Sequence, residues 1–427
     1  MLAIYSFFYF FYKLAANVAA IFDSKIKQGI EGRKEQTGRI TSHYSTVAKE
    51  RFRVLIHVAS FGELEQAKPI IAELKKKYPN IHIHLTFFSP SGYLNAKNKY
   101  KEPDIISYLP FDDASSVNNF LDAVKPNLVI FDRYDLWPRF TLVLQKRKIP
   151  AILISATYRK SFAKSLPIVS SIYRSLYHSL RYIFAINEDV KQSLVGDGYS
   201  ANAITVTGDT RIDQVLQRKE ASLEKGNILP RQVAEKLEQE KPCVLVVGSS
   251  WEEDEKVICD GLLSSENLFT IIAPHEMTES HLASLESLCQ NKAIRLSKID
   301  AYNNEWILIW DKIGDLFDLY AYADIAYVGG GFGAGVHNVL EPAVRGIPVI
   351  VGPHHTRSVE VGLLLERRGA FVITSASEFS LAFGKLLSDA GAHQEAGKNA
   401  YAYIEENSGA TKAIMSYLET MIPHSVS

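Results

Sequence analysis

The chain has 427 residues, and 47 Lys and Arg against 48 Asp and Glu leave a formal net charge of −1, so no global field favours nucleic acid or an anionic surface. The length favours two domains over a single core, and 47% hydrophobic with 22% charged residues is ordinary for a folded protein. Cys243, Cys259 and Cys289 are few and odd in number, with no Cys-x-x-Cys or Cys/His spacing, which argues against a disulfide framework or a structural zinc site and suits a reducing compartment.

In chain order, Met1 to Phe22 is almost wholly apolar or aromatic, with Phe7, Phe8, Tyr9, Phe10, Phe11 and Tyr12 in one run and Lys13 as its only charge. As a helix it would be about 33 Å long, close to the thickness of a bilayer core. A cleaved signal peptide fits less well, because no basic residues precede the apolar stretch and no small-x-small site ends it. Residues 25–53 then carry an excess of Lys and Arg. Positive charge beside an apolar segment marks the cytoplasmic side of a membrane. Two readings of residues 1–22 stay open: a membrane anchor or interfacial helix, and a core helix of the first domain.

From Arg53 the chain alternates strand and helix patterns. Strands are expected at Arg53–Ala59, Ile81–Phe88, Ile105–Leu109, Leu128–Phe131, Ala151–Ser155, Tyr182–Ile186 and Ile204–Val206. Helices are expected at Glu65–Lys77, Asn95–Tyr100, Ala114–Val124, Leu136–Gln145, Tyr173–Leu180 and Glu188–Leu194. Residues 216–242 are rich in Lys, Glu and Gln, contain Gly226 and Pro230, and hold no strand pattern, which makes them the best candidate for a domain connection. The alternation then restarts with strands Cys243–Val247, Phe269–Ala273, Trp306–Ile309, Ile325–Val328, Pro348–Val351 and Ala370–Ile373. Helices Glu252–Leu263, Glu279–Cys289, Leu316–Ala321, Val339–Val344 and Val359–Glu366 lie between them. A last helix, around Thr411–Met421, is a candidate to cross back onto the first domain. The pattern predicts an α/β protein of two doubly wound parallel sheets. Ligands in such sheets bind beyond the carboxyl ends of the strands, so a cleft between the domains is the expected site.

Four strand-to-helix turns carry polar residues at that end. Gly329-Gly330-Gly331-Phe332-Gly333-Ala334-Gly335 leads to Asn338 and Glu341, spaced as an N-cap and its capping-box partner. It reads either as a flexible turn with an ordinary cap or as a close-approach anion site, with Glu341 available to ribose hydroxyls. Neither the dinucleotide nor the phosphate-loop fingerprint fits it. Ser249 and Ser250 follow a strand and either cap the acidic helix Glu252–Leu263 or bind a phosphate or carboxylate. Ser60-Phe61-Gly62-Glu63 places a carboxylate in the first turn of a helix. It is either a dipole-complementing cap or a general base, and the helix N-terminus is expected to lower its pKa. Asp135 lies in Asp132-Arg133-Tyr134-Asp135-Leu136-Trp137-Pro138 and either faces a site or caps.

Taken in order, HVASFGELEQAKPII, YLPFDD, DLWPR, TGDTRID, VVGSSWEEDE, IIAPHE, IGDLFDLYAYADIAYVGGGFGAGVHNVLEPA and GIPVIVGP run from residue 57 to 353. In this set the sequence resembles the bacterial 3-deoxy-D-manno-octulosonic acid (Kdo) transferase family. The resemblance implies GT-B architecture, with two Rossmann-like domains facing a central cleft. On it the domains are 1–22, a membrane-anchor or interfacial helix; 23–218, acceptor-binding; and 219–427, donor-binding. It implies an inverting transfer of Kdo from CMP-Kdo to a hydroxyl of a lipid A precursor, without a metal, at the cytoplasmic face of the inner membrane and with no nucleic-acid partner. The chain has no Asp-x-Asp, so the usual carboxylate pair for a metal-bound nucleotide is missing, and helix termini and cations are expected to neutralise the phosphate.

By the same resemblance Glu63 is the general base, and Asp135 and Arg211 stabilise the transition state. Ser60 and Gly62 fall on the acceptor side. Ser249, Ser250, Pro274, His275, Ile313, Gly314, Asp315, Asn338, Val339, Leu340 and Glu341 fall on donor-binding segments. The chain departs from the family in having Asp135 for Glu, Arg211 for Lys, His275 for Arg and Asp315 for Glu. An always-charged group is thereby replaced at His275 by one with a reference pKa of about 6.5, so donor binding is expected to depend on pH or to rely on another cation. The alternatives are a UDP-sugar transferase or nucleotide-sugar epimerase of the same architecture, and a non-catalytic membrane-associated binding protein.

Overall fold

The computed structural model describes residues 2–158, 167–262, 267–290 and 292–426. Met1 and Leu263, end residues of two expected elements, lie outside the described residues. Two compact units form, Met1–Gln214 with Ser408–Ser427, and Val215–Asn407.

Unit 1 holds a sheet of seven parallel strands: β1 (Arg53–Val58), β2 (His82–Phe87), β3 (Ile105–Tyr108), β4 (Leu128–Asp132), β5 (Ala151–Ala156), β6 (Tyr182–Ala185) and β7 (Ile204–Val206), in the order β3-β2-β1-β4-β5-β6-β7. All residues of β1, β2 and β4 are buried, as strands covered by helices on both faces must be. The helices are α1 (Leu2–Ala19), α2 (Ser24–Thr46), α3 (Phe61–Lys77), α4 (Pro90–Lys99), α5 (Ala114–Val124), α6 (Pro138–Lys146), α7 (Pro167–His178) and α8 (Glu188–Gly196). Strand order reverses direction between β1 and β4, and the loops leaving these two strands part to opposite faces there.

The sequence pattern gives no sign of α2, and its packing says why. Several of its anchors are polar. Arg33 donates to the carbonyls of Leu109 and Phe88, and Gln36 pairs with both backbone groups of Tyr108. Gly32 lets the helix approach the Tyr108 ring, where a Cβ would stand 2.4 Å from Cε2. Ile30, Ile40 and Tyr44 are buried along the same helix, so polar anchors and a sparse apolar face share the docking. Helix α1 is bolted on by its polar side: Tyr5 donates to Asp112 at 2.8 Å, Tyr9 accepts from the Asp112 amide at 2.8 Å, and Lys13 pairs with Asp113 at 2.9 Å. Phe7, Phe8, Phe10 and Phe11 are exposed. No helix among the described residues is long and apolar enough to cross a membrane.

The last helix, α18 (Ala410–Glu419), belongs to unit 1. Ile414, Met415 and Leu418 join the core under β1 and α3, and Tyr417 stacks on Tyr182 at 4.4 Å. Asp213 holds its start by accepting from the amides of Gly409 and Thr411.

Unit 2 repeats the plan with β8 (Cys243–Ser250), β9 (Leu268–Pro274), β10 (Ala293–Arg295), β11 (Ile307–Ile309), β12 (Ile325–Val328), β13 (Val349–Val351) and β14 (Ala370–Val372), ordered β10-β11-β9-β8-β12-β13-β14 and all parallel. The reversal lies between β8 and β12. Its helices include α11 (Glu252–Leu262), α12 (Glu279–Leu288), α13 (Leu316–Leu319), α14 (Leu340–Ala343), α15 (Val359–Glu366), α16 (Ala376–Ser388) and α17 (Ala390–Glu406). The strandless stretch 216–242 is mostly helical: α9 (Thr210–Leu223) runs into it and α10 (Arg231–Glu240) fills its end. Strand β10, three residues long, and helices α16 and α17 carried no sequence signal of their own.

Candidate active site

At the reversal point of unit 1, Ser60 caps α3 by accepting from the Glu63 amide at 3.4 Å, and Glu63 Oε2 accepts from the Ala59 amide at 2.5 Å. The side chain thus closes a reciprocal cap while only 5% exposed. Its Oε1 makes no hydrogen bond among the described residues. Burial raises the pKa of Glu63; the Ala59 hydrogen bond opposes this, the Asp135 charge adds to it, and His57 and Arg133 oppose it. The sequence pointed the other way, to a helix N-terminus holding the pKa down. Desolvation outweighs the dipole because the carboxylate has left water. A carboxylate that burial makes more basic suits proton abstraction.

Asp135 stands next to it in charge terms and is held by two donors on one oxygen. His57 Nε2 lies 2.9 Å from Oδ2 and Trp137 Nε1 donates to it at 3.3 Å. His57 is fully buried, and its Nδ1 lies 3.0 Å from Thr86 Oγ1 on the neighbouring strand. Because the Asp135 carboxylate only accepts, Nε2 is the donor of that contact, and Thr86 Oγ1 also donates to the Ile56 carbonyl at 3.3 Å.

Asp132, the last residue of β4, is completely buried, and neither carboxylate oxygen has a hydrogen-bond partner among the described residues. Burial pushes its pKa well above the usual carboxylate range, and the charges of Glu63 and Asp209 add to this against Arg133 and Arg211. A buried carboxyl without a partner disfavours its charged form. Arg211, at the start of α9, forks onto Asp209, with Nε at 3.0 Å and Nη2 at 2.8 Å from Oδ2. Gln66 also donates to Asp209. Burial tends to raise the Asp209 pKa, but the Arg211 guanidinium wins and holds it low. Unit 1 thus brings Ser60, Glu63, Asp135 and Arg211 into one charged cluster. Gly62 is exposed beside it, and a Cβ there would meet only Ser60 Oγ, at 3.8 Å.

The corresponding end of unit 2 is built from backbone and rings. The Gly329 amide donates to the Gly248 carbonyl at 2.9 Å, tying the end of β12 to β8. A Cβ on Gly329 would meet the Ser249 carbonyl at 2.3 Å, and one on Gly331 would meet the Gly352 amide at 2.5 Å. These glycines are therefore needed for loop-on-loop packing, not mainly to admit a ligand. At Gly333 and Gly335 a Cβ would meet only ordinary contacts, the Gly330 carbonyl at 3.9 Å and the His354 carbonyl at 3.7 Å, although Gly335 takes a φ of 130°.

Asp254 organises both turns. Fully buried, it accepts from the Trp251 amide at 3.0 Å, the Gly330 amide at 2.7 Å, Tyr327 Oη at 2.7 Å and the Phe332 amide at 3.4 Å. The start of α11 is thus capped by Asp254 from within the helix. Ser249 and Ser250 do not cap it: Ser250 Oγ donates to Glu255 at 2.8 Å, and Ser249 takes a left-handed φ of 52°. With Glu252, Glu253, Asp254 and Glu255 in its first turn, this helix start is no place for a phosphate.

Pro274 pairs with Ser250 at the end of β9, and the His275 amide donates to the Ser250 carbonyl at 2.8 Å. The His275 ring stacks on Trp251 and on His337, each at 4.5 Å, and Trp251 Nε1 donates to His337 Nε2 at 3.0 Å. Burial lowers the His337 pKa, and the His275 ring adds to this.

Two expectations fail at Asn338–Glu341. The helix is a single turn from Leu340, and its N-cap is Val339 with no side-chain cap bond. Asn338 instead turns on itself to accept from the Leu340 amide at 3.1 Å, and Glu341 accepts from Arg218 at 2.7 Å. Pro342 closes the turn and leaves no capping-box geometry. Val339 and Leu340 are buried, so only their backbone can meet a ligand. Ile313 is exposed, Gly314 has φ 108°, and Asp315 pairs with Lys312 at 2.9 Å and accepts from Trp310. Among the described residues no group of three or more His, Cys, Asp or Glu is placed to hold a metal ion.

Comparison with known proteins supports the resemblance. Residues 31–214 match the family model described as 3-deoxy-D-manno-octulosonic-acid transferase. The chain is 26% identical to the 3-deoxy-D-manno-octulosonic acid transferase of Haemophilus influenzae, over 87% of this chain and 88% of that one. It is 27% identical to the enzyme of the same name from Aquifex aeolicus, over 78% and 85%. The chain is similar to the Kdo transferase family, through the model match in unit 1 and through relatives aligned over most of its length. Its fold is shared with a UDP-GlcNAc 2-epimerase from Neisseria meningitidis solved bound to UDP-GlcNAc, at a TM-score of 0.61 and 18% identity, covering 86% of this chain and all of that one. A putative UDP-N-acetylglucosamine 2-epimerase from Listeria monocytogenes aligns at 0.61 and 14%, covering 87% and 96%. The family match spans the unit that carries Glu63, Asp135 and Arg211.

His57, Asp132, Asp209 and Asp254 were not singled out by the sequence. The signal for Asp132 was available, as a carboxylate ending the apolar run Leu128–Phe131. His57 and Asp254 sit in the quoted motifs, but their partners lie 78 and 76 residues away, beyond any local pattern.

Proposed function

We propose that this glycosyltransferase moves Kdo from CMP-Kdo to a hydroxyl of a lipid A precursor by direct displacement with inversion. Glu63 takes the proton of the acceptor hydroxyl, that oxygen forms its bond to the anomeric carbon of Kdo, and the bond from that carbon to the phosphate oxygen of CMP breaks as CMP leaves with the electron pair. Unit 1 supplies the base and receives the acceptor, and unit 2 holds CMP. The observation that carries this reading is the buried Glu63 with its raised pKa and one oxygen fixed on the Ala59 amide. In this scheme Asp135 and Arg211 steady the charge that develops, and the donor meets the turns at Ser249–Ser250, Pro274–His275, Ile313–Asp315 and Asn338–Glu341. The reaction needs no metal ion. The protein works at the cytoplasmic face of the inner membrane, a reading supported by the outward-facing phenylalanines of α1.

The test is incubation of purified protein with CMP-Kdo and a tetraacylated lipid A precursor, with EDTA and without, and products read by mass. Addition of Kdo in both conditions is expected. No product with CMP-Kdo, or transfer from UDP-sugars instead, overturns the reading.

A further inference from the structure

An apolar cavity of about 640 Å³ opens beside the Asp135 loop of unit 1. Ile4 and Phe8 of α1, Trp137 of the loop, and Ile172 and Leu176 of α7 wall it, and Asp135 itself lines it. This volume is in the range of sites that hold small ligands. Its chemistry excludes the donor, since the phosphate, ribose and sugar acid of CMP-Kdo are all polar or charged and would lose water against aliphatic and aromatic walls. On the transfer reading above, the other substrate carries fatty acyl chains. We infer that this cavity takes an acyl chain of the lipid acceptor, next to the residues that act on its hydroxyl.

Three observations carry the inference. The cavity shares a residue with the candidate active site, so a chain seated in it keeps the sugar end of the same molecule within reach of Asp135. Trp137 serves both: its ring is cavity wall and its Nε1 donates to Asp135 Oδ2 at 3.3 Å. Helix α1 supplies Ile4 and Phe8 to the wall while Tyr5, Tyr9 and Lys13 fasten it to unit 1. The helix is thereby a fixed part of the acceptor pocket. Each methylene buried there adds about fourfold to acceptor affinity.

Ile172 is half-buried on the cavity wall and has no part in the chemistry. Ile172→Trp fills the cavity. The acceptor in detergent micelles should then show a KM raised about tenfold or more. The KM for CMP-Kdo, and the rate on a fully deacylated glucosamine disaccharide bisphosphate, should stay at wild-type values. An unchanged KM for the acylated acceptor overturns the inference. If Ile172→Trp loses CMP-Kdo binding as well, it has misfolded and Ile172→Ala decides: a KM raised about fourfold for the acylated acceptor alone supports the cavity, and an unchanged KM overturns it. If the wild-type protein transfers Kdo to neither acceptor, the transfer reading itself falls, a result distinct from a cavity variant that fails to discriminate.

Discussion

Unit 1 and unit 2 each wind seven parallel strands around one point of reversal, with β11 inserted between β10 and β9 in unit 2, and end them on different chemistry. After β1 the chain turns into an α3 start that buries Glu63, with Asp132 and Asp135 entering from β4. After β8 the equivalent turn is Gly248-Ser249-Ser250, and β12 answers with glycines packed on it at backbone distance. One point of reversal therefore gathers acids, and burial raises the pKa of Glu63 and Asp132 among them. The other gathers amides, a ring stack, Glu255 bonded by Ser250, and Asp254 with four donors on it. The sheet order fixes where two loops meet. What the loops do there depends on how their polar groups are satisfied: in unit 1 Asp132 is buried without a partner among the described residues and Glu63 holds one amide, whereas in unit 2 Asp254 takes four donors.

The sharpest way to break this contrast is to remove the base. Glu63→Gln keeps the size of the side chain and loses the proton acceptor. Turnover should fall by about 10²–10⁴-fold. In the wild type, kcat/KM against pH should rise on its acid limb through a pKa above the ordinary carboxylate range, because Glu63 must be ionised and burial raises its pKa. A limb at the ordinary carboxylate value would contradict the burial argument.

Next in size is Asp254→Ala, which strips a buried acceptor from the Trp251 and Gly330 amides and from Tyr327. A loss of about 3 kcal/mol in urea unfolding is expected, with weakened CMP binding. Wild-type stability would show that unit 2 does not depend on that acid.

A smaller effect belongs to α2, where His43 Nε2 faces His82 Nε2 at 2.8 Å and His84 lies buried behind them. Burial pulls His82 down to about 4, and His84 shifts the same way. The folded state then binds fewer protons than the unfolded one, whose histidines titrate near about 6.5. Stability from this contact is full above that value and is lost as pH falls towards about 4. Urea midpoints at pH 7.5 and pH 5 should differ in that direction, and His82→Gln should narrow the difference.

The smallest effect is expected at Asp132. Since burial raises its pKa and disfavours the charged form, Asp132→Asn, which carries no charge, should leave stability at pH 7 unchanged or raise it by about 0.5 kcal/mol. A large loss would mean that the carboxylate is ionised and paired.

Much of this contrast could be read in the sequence, and the limits of that reading are physical. The strands β1, β4, β8 and β12 announce themselves as apolar runs, and Glu63 and Ser249 attract notice because they follow such runs directly. The sign of the Glu63 shift was out of reach, because the helix start is local and the burial is not. The same holds for Asp254, which looks like one acid of a solvated first turn until Gly330 and Tyr327 arrive from 76 and 73 residues away. Helix α2 escaped because its buried apolar residues, Ile30, Ile40 and Tyr44, are sparse and arginine and glutamine supply the rest of its anchoring. At Asn338–Glu341 the capping-box spacing was present, but Pro342 and the Arg218 ion pair leave a single turn with its glutamate engaged elsewhere.

The division of labour between the units is tested most directly by calorimetric titration of CMP-Kdo into Glu63→Gln, with single-turnover transfer followed on the same sample. The account predicts wild-type affinity with transfer lost. Weakened donor binding in step with the lost transfer, or wild-type transfer, would contradict it.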